Sequence, residues 1–239
     1  MRFVLGTLKV KIYADGADLD SILALAPDPR IAGFTTNPTL MWKAGLTNYR
    51  KFAERLLEEI TGKPISFEVF ADDTDEMRRQ AHVIAQWGEN VYVKVPVSTT
   101  SGESMAPLVR ELSEDGVKVN VTALFTTAQV ELLTEAVREG APSCLSMFAG
   151  RIADAGVEPL PLIEHALRII DAAPRAELIW ASPREILNLV QADRVGCHII
   201  TMTKDLLDKI DLIGKDLDQF SLETVQMFHR DAVAAGFSL

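Results

Sequence analysis

The sequence predicts a (β/α)8 barrel with an additional C-terminal helix, and three observations lead there. Short β-rich runs alternate with stretches of helical periodicity along the chain. Each strand-plus-helix unit recurs after roughly 30 residues, the usual length of a βα crossover. Eight such units fit within 239 residues, close to the roughly 250 typical of this barrel. A doubly wound open sheet is the competing fold, but neither a Gly-x-Gly-x-x-Gly turn nor a P-loop follows the first strand. No linker, low-complexity tract or charge block interrupts the alternation, so one barrel domain over 1–239 is expected, with 216–239 as a helical tail.

The β-rich runs cover 9–15, 31–38, 65–70, 91–97, 117–125, 142–149, 177–182 and 197–203. Between them, apolar residues at helical spacing mark helices, as in Phe52-Leu56-Leu57-Ile60, Met77-Val83-Ile84-Trp87, Leu108-Leu112, Val130-Leu133-Ala136, Leu162-Ala166-Ile170 and Ile186-Leu187-Val190. Successive strand side chains point to opposite faces. In a barrel the helix-covered face is apolar, so polar residues at alternate positions belong inside, and those near strand C-terminal ends are functional candidates.

In the first run Tyr13 and Asp15 share a face, and Asp15 is either an acid/base group or the N-cap of the helix that follows. The second run closes on Thr35-Thr36-Asn37-Pro38, where Asn37 is held extended by the proline after it. In the third, Ser66 and Glu68 oppose Ile65, Phe67 and Val69, and an inward glutamate is costly unless paired or used. The fourth run, Val91-Tyr92-Val93-Lys94-Val95-Pro96-Val97, places valines on one side and Lys94 on the other. Taking an ammonium out of water favours the free amine, which can attack carbonyls. A lysine paired with a carboxylate, or one that snorkels out of a half-open strand, is the alternative. The fifth run sets Lys118, Asn120 and Thr122 against Val117, Val119 and Val121. Ser146 and Ser182 in the next two runs are either site hydroxyls or core hydroxyls bonded to backbone. Arg151 and Arg184 follow late strands, where barrel phosphate sites commonly lie, and a surface ion pair is the alternative for each.

Two pieces fall outside the units. One is the short apolar leader 1–8; the other is the tail, where Leu217, Phe220, Leu222, Val225, Met227 and Phe228 make an amphipathic helix. Such a helix packs on its own barrel or reaches to a neighbouring subunit. The net charge of −10 and a pI near 4.9 oppose nucleic-acid and anionic-membrane binding, since no basic surplus replaces the counterions around phosphates. Phosphorylated metabolites stay compatible through one or two local cations. Cys144 and Cys197 lie far apart in apolar runs, as reduced core thiols of a cytoplasmic protein would. No zinc spacing is present, the start is too short for a signal peptide, and no apolar run of about 18 residues could span a bilayer.

Several of these stretches resemble the transaldolase family, especially its small bacterial members and the related fructose-6-phosphate aldolases. They are Tyr13-Ala14-Asp15, Gly33-Phe34-Thr35-Thr36-Asn37-Pro38, the Glu68 strand, Val93-Lys94-Val95-Pro96, Asn120-Val121-Thr122 with Phe125, and Ser146-Met147-Phe148-Ala149-Gly150-Arg151-Ile152. The similarity runs over nearly the whole chain, and its TTNP and VKVP blocks are specific as an ordered pair.

The resemblance implies that Lys94 forms the imine with a ketose and that Asp15 is the acid/base group for carbon–carbon cleavage. Glu68 and Thr122 would hold a water for the proton transfers. Asn37, Asn120 and Ser146 would bond the hydroxyls of a dihydroxyacetone unit, with Phe148 lining the substrate site. Arg151 would take the phosphate, with Ser182 and Arg184 beside it. No metal or organic cofactor is implied. Sugar phosphates are the expected substrates, and a homo-oligomeric ring such as a pentamer or decamer is the expected assembly.

The aldolase branch usually has glutamine at the position of Glu68 and tyrosine at that of Phe148, so this chain keeps the transaldolase pair. It departs from the family after Trp180-Ala181-Ser182, where Pro183-Arg184 follows with no phenylalanine and the loop is shorter. The leading expectation is transfer of a dihydroxyacetone unit between ketose and aldose phosphates. An aldolase using free dihydroxyacetone and a non-catalytic barrel scaffold are the alternatives.

Overall fold

The computed structural model describes residues 8–237, so residues 1–7 of the expected leader and the last two of the tail lie outside the described residues. Eight parallel strands close in sequence order into a barrel. They are β1 (Lys11–Asp15), β2 (Ile31–Thr35), β3 (Ile65–Glu68), β4 (Val91–Pro96), β5 (Val119–Leu124), β6 (Ser143–Met147), β7 (Ala176–Trp180) and β8 (Ile199–Met202). Closure is made by β1 on β8, with Lys11 opposite Ile199 and Tyr13 opposite Thr201.

All eight strands stand where the β-rich runs stand, but every one is shorter than its run. The ladder of the third stops at Glu68, leaving Phe70 more than half exposed.

The six helical stretches form as helices Tyr49–Glu59, Thr74–Ala85, Ala106–Glu114, Thr127–Val137, Leu160–Ile170 and Leu187–Val195. Their caps are written locally: Asn48 and Asp73 each accept the amide three residues on, and Thr126 with Gln129 forms a capping box. Shorter helices follow β1, β2, β6 and β8, at Leu19–Leu25, Pro38–Lys43, Ala149–Asp154 and Lys204–Leu207. The tail forms the helix Leu217–Ala234, none of whose residues is buried.

The alternation of side chains divides the apolar interior in two. Val91, Val93 and Val95 of β4, with Phe67 of β3, Val119 and Val121 of β5 and Leu145 of β6, face outward into the core shared with the helices. Each such side chain, fully buried, contributes about 1.5–3 kcal/mol. The second apolar cluster comprises Tyr13, Cys144, Ile179, Ala181 and Ile199 on the inward parity of their strands. Gly33 makes room for it, because a Cβ there would stand 2.6 Å from the Tyr13 ring. Both cysteines are buried and free. Among the described residues no helix is long and apolar enough to cross a membrane.

Candidate active site

Register sets the central pair. Glu68 of β3 is level with Lys94 of β4, and Lys94 is level with Asn120 of β5, so all three project inward from adjacent strands. Lys94 is buried, and its Nζ lies 3.4 Å from Glu68 Oε2. The Lys94 amine donates to the carbonyl of Thr36 at 2.7 Å. Glu68 Oε2 is buried without a hydrogen-bond partner in the protein, so the 3.4 Å contact is one of charge and not an aligned hydrogen bond.

Asp15 ends β1 and is not the cap of the next helix. Asp18 takes that job, accepting from the Ser21 amide at 2.9 Å. Asp15 instead accepts from the Thr35 hydroxyl at 2.8 Å and from Asn37 Nδ2 at 3.3 Å. Asn37 is itself an N-cap: extended at φ −151° before Pro38, it accepts the Leu40 amide with Oδ1 while its amide nitrogen turns to Asp15. Burial pushes the Asp15 carboxyl above the ordinary carboxylate range, an effect only partly offset by Lys94 and the two hydrogen bonds.

These groups line a cavity of about 420 Å³ at the C-terminal end of the strands, the end where barrel enzymes build their sites. Ten of the eleven candidate residues are on its wall: Asp15, Asn37, Glu68, Lys94, Thr122, Ser146, Phe148, Arg151, Ser182 and Arg184. Asn120 is not. It is fully buried behind the wall, donating to Ser66 Oγ at 3.0 Å and accepting from Ser146 Oγ at 2.7 Å, so it orients Ser146 and has no face toward the cavity.

The wall also carries residues to which the sequence assigned no role, among them Thr35, Ala123, Thr201 and Thr203. Strand parity could have found Thr35, two places after Gly33 on the inward side of β2. Ala123 and Ser182 are the described non-glycine residues with positive φ, at 65° and 60°, and both border the cavity. Backbone strain of this kind persists where the surroundings over-determine it, and such positions cluster at functional sites.

At one end of the cavity Arg151 lies over the Phe148 ring, 5.3 Å from its centroid. Arg184, on the same wall, pairs with Asp154 at 2.5 Å.

Burial also raises the Glu68 carboxyl, with Lys94 lowering it and Asp15 raising it further. The folded chain therefore holds this proton more tightly than the unfolded one. Its contribution to stability is complete below the unfolded carboxyl range and is lost as pH climbs through the raised native value. The Tm of Glu68→Gln relative to the unaltered chain is accordingly expected to rise by about 2–4 °C between low pH and pH 7, a scale set by roughly 1 kcal/mol in a domain this large. A gap of equal size at both pH values would show that the buried charge is not its source.

The Transaldolase/Fructose-6-phosphate aldolase family model matches residues 12–239. A probable transaldolase 2 from Listeria monocytogenes is 34% identical over 204 residues, covering 84% of this chain and 88% of that one. A probable transaldolase from Streptococcus agalactiae is 35% identical over 224 residues, covering 88% of this chain and 99% of its own length. Among solved structures, a dihydrodipicolinate synthase from Rhodopseudomonas palustris superposes with a TM-score of 0.56 at 15% identity, over 84% of this chain and 72% of that one, and speaks for the barrel alone. With a match over nearly its whole length and relatives above 30% identity, the chain belongs to the transaldolase/fructose-6-phosphate aldolase family of enzymes.

Proposed function

We propose that this enzyme moves a dihydroxyacetone unit from a ketose phosphate to an aldose phosphate through an imine on Lys94. The observation that carries the reading is the buried Lys94 amine, 3.4 Å from a Glu68 oxygen that no other protein group satisfies. Lys94 Nζ adds to the C2 carbonyl, and loss of water gives the iminium. Glu68 with Thr122 suits the water and proton traffic of that step. Asp15 takes the proton of the C4 hydroxyl as the C3–C4 bond breaks, the electron pair passes into the iminium as an enamine, and the aldehyde departs. An acceptor aldehyde then takes C3 of the enamine, Asp15 returns the proton, and water releases the new ketose.

The Ser146 hydroxyl, fixed by Asn120, and the Asn37 amide suit the hydroxyls of the three-carbon unit. Phe148 presents no phenol that could protonate the enamine before the acceptor arrives, which favours transfer over simple cleavage. Borohydride reduction with fructose 6-phosphate, followed by mass mapping, tests the imine. Cleavage with and without an acceptor aldehyde separates transfer from aldolase action, since steady release of free dihydroxyacetone without acceptor would establish the latter.

Arg151 is read as the phosphate ligand. Arg151→Ala is expected to raise KM for a phosphorylated ketose about tenfold or more relative to an unphosphorylated one, the scale of one charged hydrogen bond. Equal effects on both sugars would remove it from that role. Two free, buried thiols suit the reducing cytoplasm. The tail helix leaves Leu217, Phe220, Leu222, Val225, Phe228 and Val233 exposed, which supports a homo-oligomer in which a second copy covers them. Light scattering should return a multiple of the 26.3 kDa chain mass, and a monomer would dismiss the assembly.

A further inference from the structure

The backbone amides of β3 alternate between its two edges. Ile65 and Val69 donate toward β4, to the carbonyls of Asn90 and Lys94 at 3.0 and 3.1 Å, so the amides of Ser66 and Glu68 point at β2. Each donor here reaches the residue before the one it stands opposite. Ile65 is opposite Val91 and bonds Asn90, and Phe34 is opposite Ile65 and bonds Pro64. Thr35 is opposite Ser66, so two places on, the Glu68 amide is aimed by the same offset at the Thr36 carbonyl.

That carbonyl has another donor. β2 ends at Thr35, and the Thr36 oxygen accepts from Lys94 Nζ at 2.7 Å. The Glu68 amide goes instead to Tyr49, whose phenol oxygen accepts it at 2.6 Å. Tyr49 is the first residue of the helix Tyr49–Glu59, just after its cap Asn48, and stands outside the cavity wall. Its ring meets Phe67, Phe70 and Trp87 edge-on, with centroids 6.0, 4.6 and 5.7 Å away, and this packing holds the hydroxyl at the strand edge. Burial pushes the phenol above its ordinary range, so the oxygen stays neutral. Thr36 is itself fully buried, and its hydroxyl donates to the Ser66 carbonyl at 2.9 Å.

We propose that Tyr49 is a positioning residue for the reactive amine: its phenol oxygen takes the Glu68 amide in place of the Thr36 carbonyl and leaves that carbonyl to direct Lys94. The inference rests on reading Lys94 as the imine-forming nucleophile. An amide shut away from water must find an acceptor. Without the phenol, the Glu68 amide turns to its ladder acceptor, the Thr36 oxygen. A carbonyl oxygen has two lone pairs, so amide and amine would then share it and the amine would lose its fixed direction. A nucleophile held out of line reacts more slowly even where the substrate binds as before.

The test is Tyr49→Phe, which removes the oxygen and keeps the ring. Imine formation on Lys94 in a single turnover with fructose 6-phosphate, stopped with borohydride, should slow about fivefold, the rate equivalent of one neutral hydrogen bond. The non-covalent affinity for the sugar, taken from the concentration dependence of that rate, should move less than about twofold. Trp87→Leu disturbs the same aromatic cluster but keeps the hydroxyl, so it should lower Tm and leave the rate of imine formation unaltered. A crystal structure of Tyr49→Phe should show the Glu68 amide on the Thr36 carbonyl and Lys94 Nζ withdrawn from it. An unaltered rate in Tyr49→Phe overturns the proposal, as does an equal loss in Trp87→Leu or a variant structure in which Lys94 keeps its bond to Thr36. The crystallographic result needs no turnover. An unaltered enzyme that forms no imine on Lys94 refutes the reaction, while the variant structure still decides whether Tyr49 frees the carbonyl; imine formation at the same rate in both refutes the role of Tyr49 alone.

Discussion

Reduction by borohydride in the presence of fructose 6-phosphate is expected to leave its adduct on Lys94, and Lys94→Ala is expected to lose both the adduct and at least about 10⁴-fold in turnover, as enzymes stripped of their nucleophile do. Two strand lysines, Lys11 and Lys94, and Lys118 just before β5 share the inward parity, so residue type does not choose among them. Lys11 is paired with Glu177 at 2.5 Å, and Lys118 donates to the Glu89 carbonyl at 2.6 Å. Neither lines the cavity. Lys94 does, it is the most buried of the three, and it has a carboxylate beside it and a carbonyl to direct its amine. An adduct mapped to Lys11 or Lys118, or one that persists in Lys94→Ala, would defeat the imine mechanism.

Asp15→Asn should separate two steps that Lys94→Ala removes together. The variant keeps an oxygen for the Thr35 hydroxyl, so the end of β1 should hold its place. The imine on Lys94 should still form and still be trapped. Carbon–carbon cleavage should slow about 10²- to 10⁴-fold, the usual contribution of a positioned acid/base group. Burial makes Asp15 suited to both halves of the task, since a carboxyl raised above its ordinary range gives back a proton more readily at neutral pH than an exposed carboxylate would. Trapping without cleavage is the signature of this assignment. Cleavage at the unaltered rate would send the proton transfer to another group, with Glu68 the nearest candidate.

Much of this site was legible before any coordinates, because β parity in a helix-wrapped barrel is a two-way code. Valines at every second position of β4 and β5 had to face the helices, which forced Lys94, Asn120 and Thr122 inward. The same rule brought Ser66 and Glu68 inside. Parity gives direction but not depth: it turns Asn120 inward, and only the structure shows it bonded behind Ser146. Nor does it choose between uses of one residue type. An aspartate before a helix reads as a cap, and only the chain path shows that Asp18 caps while Asp15 turns to Thr35 and Asn37.

The sequence by itself indicated the barrel and the inward face of β1, β3, β4 and β5, since these follow from periodicities carried within a few neighbouring residues. The tertiary structure alone decided which candidates meet. The Lys94 contact with the Thr36 carbonyl spans 58 residues, and the Arg184 grip on Asp154 spans 30. Such pairings depend on strand register and loop length, which fix distances between side chains whose separation along the chain says nothing of their separation in space.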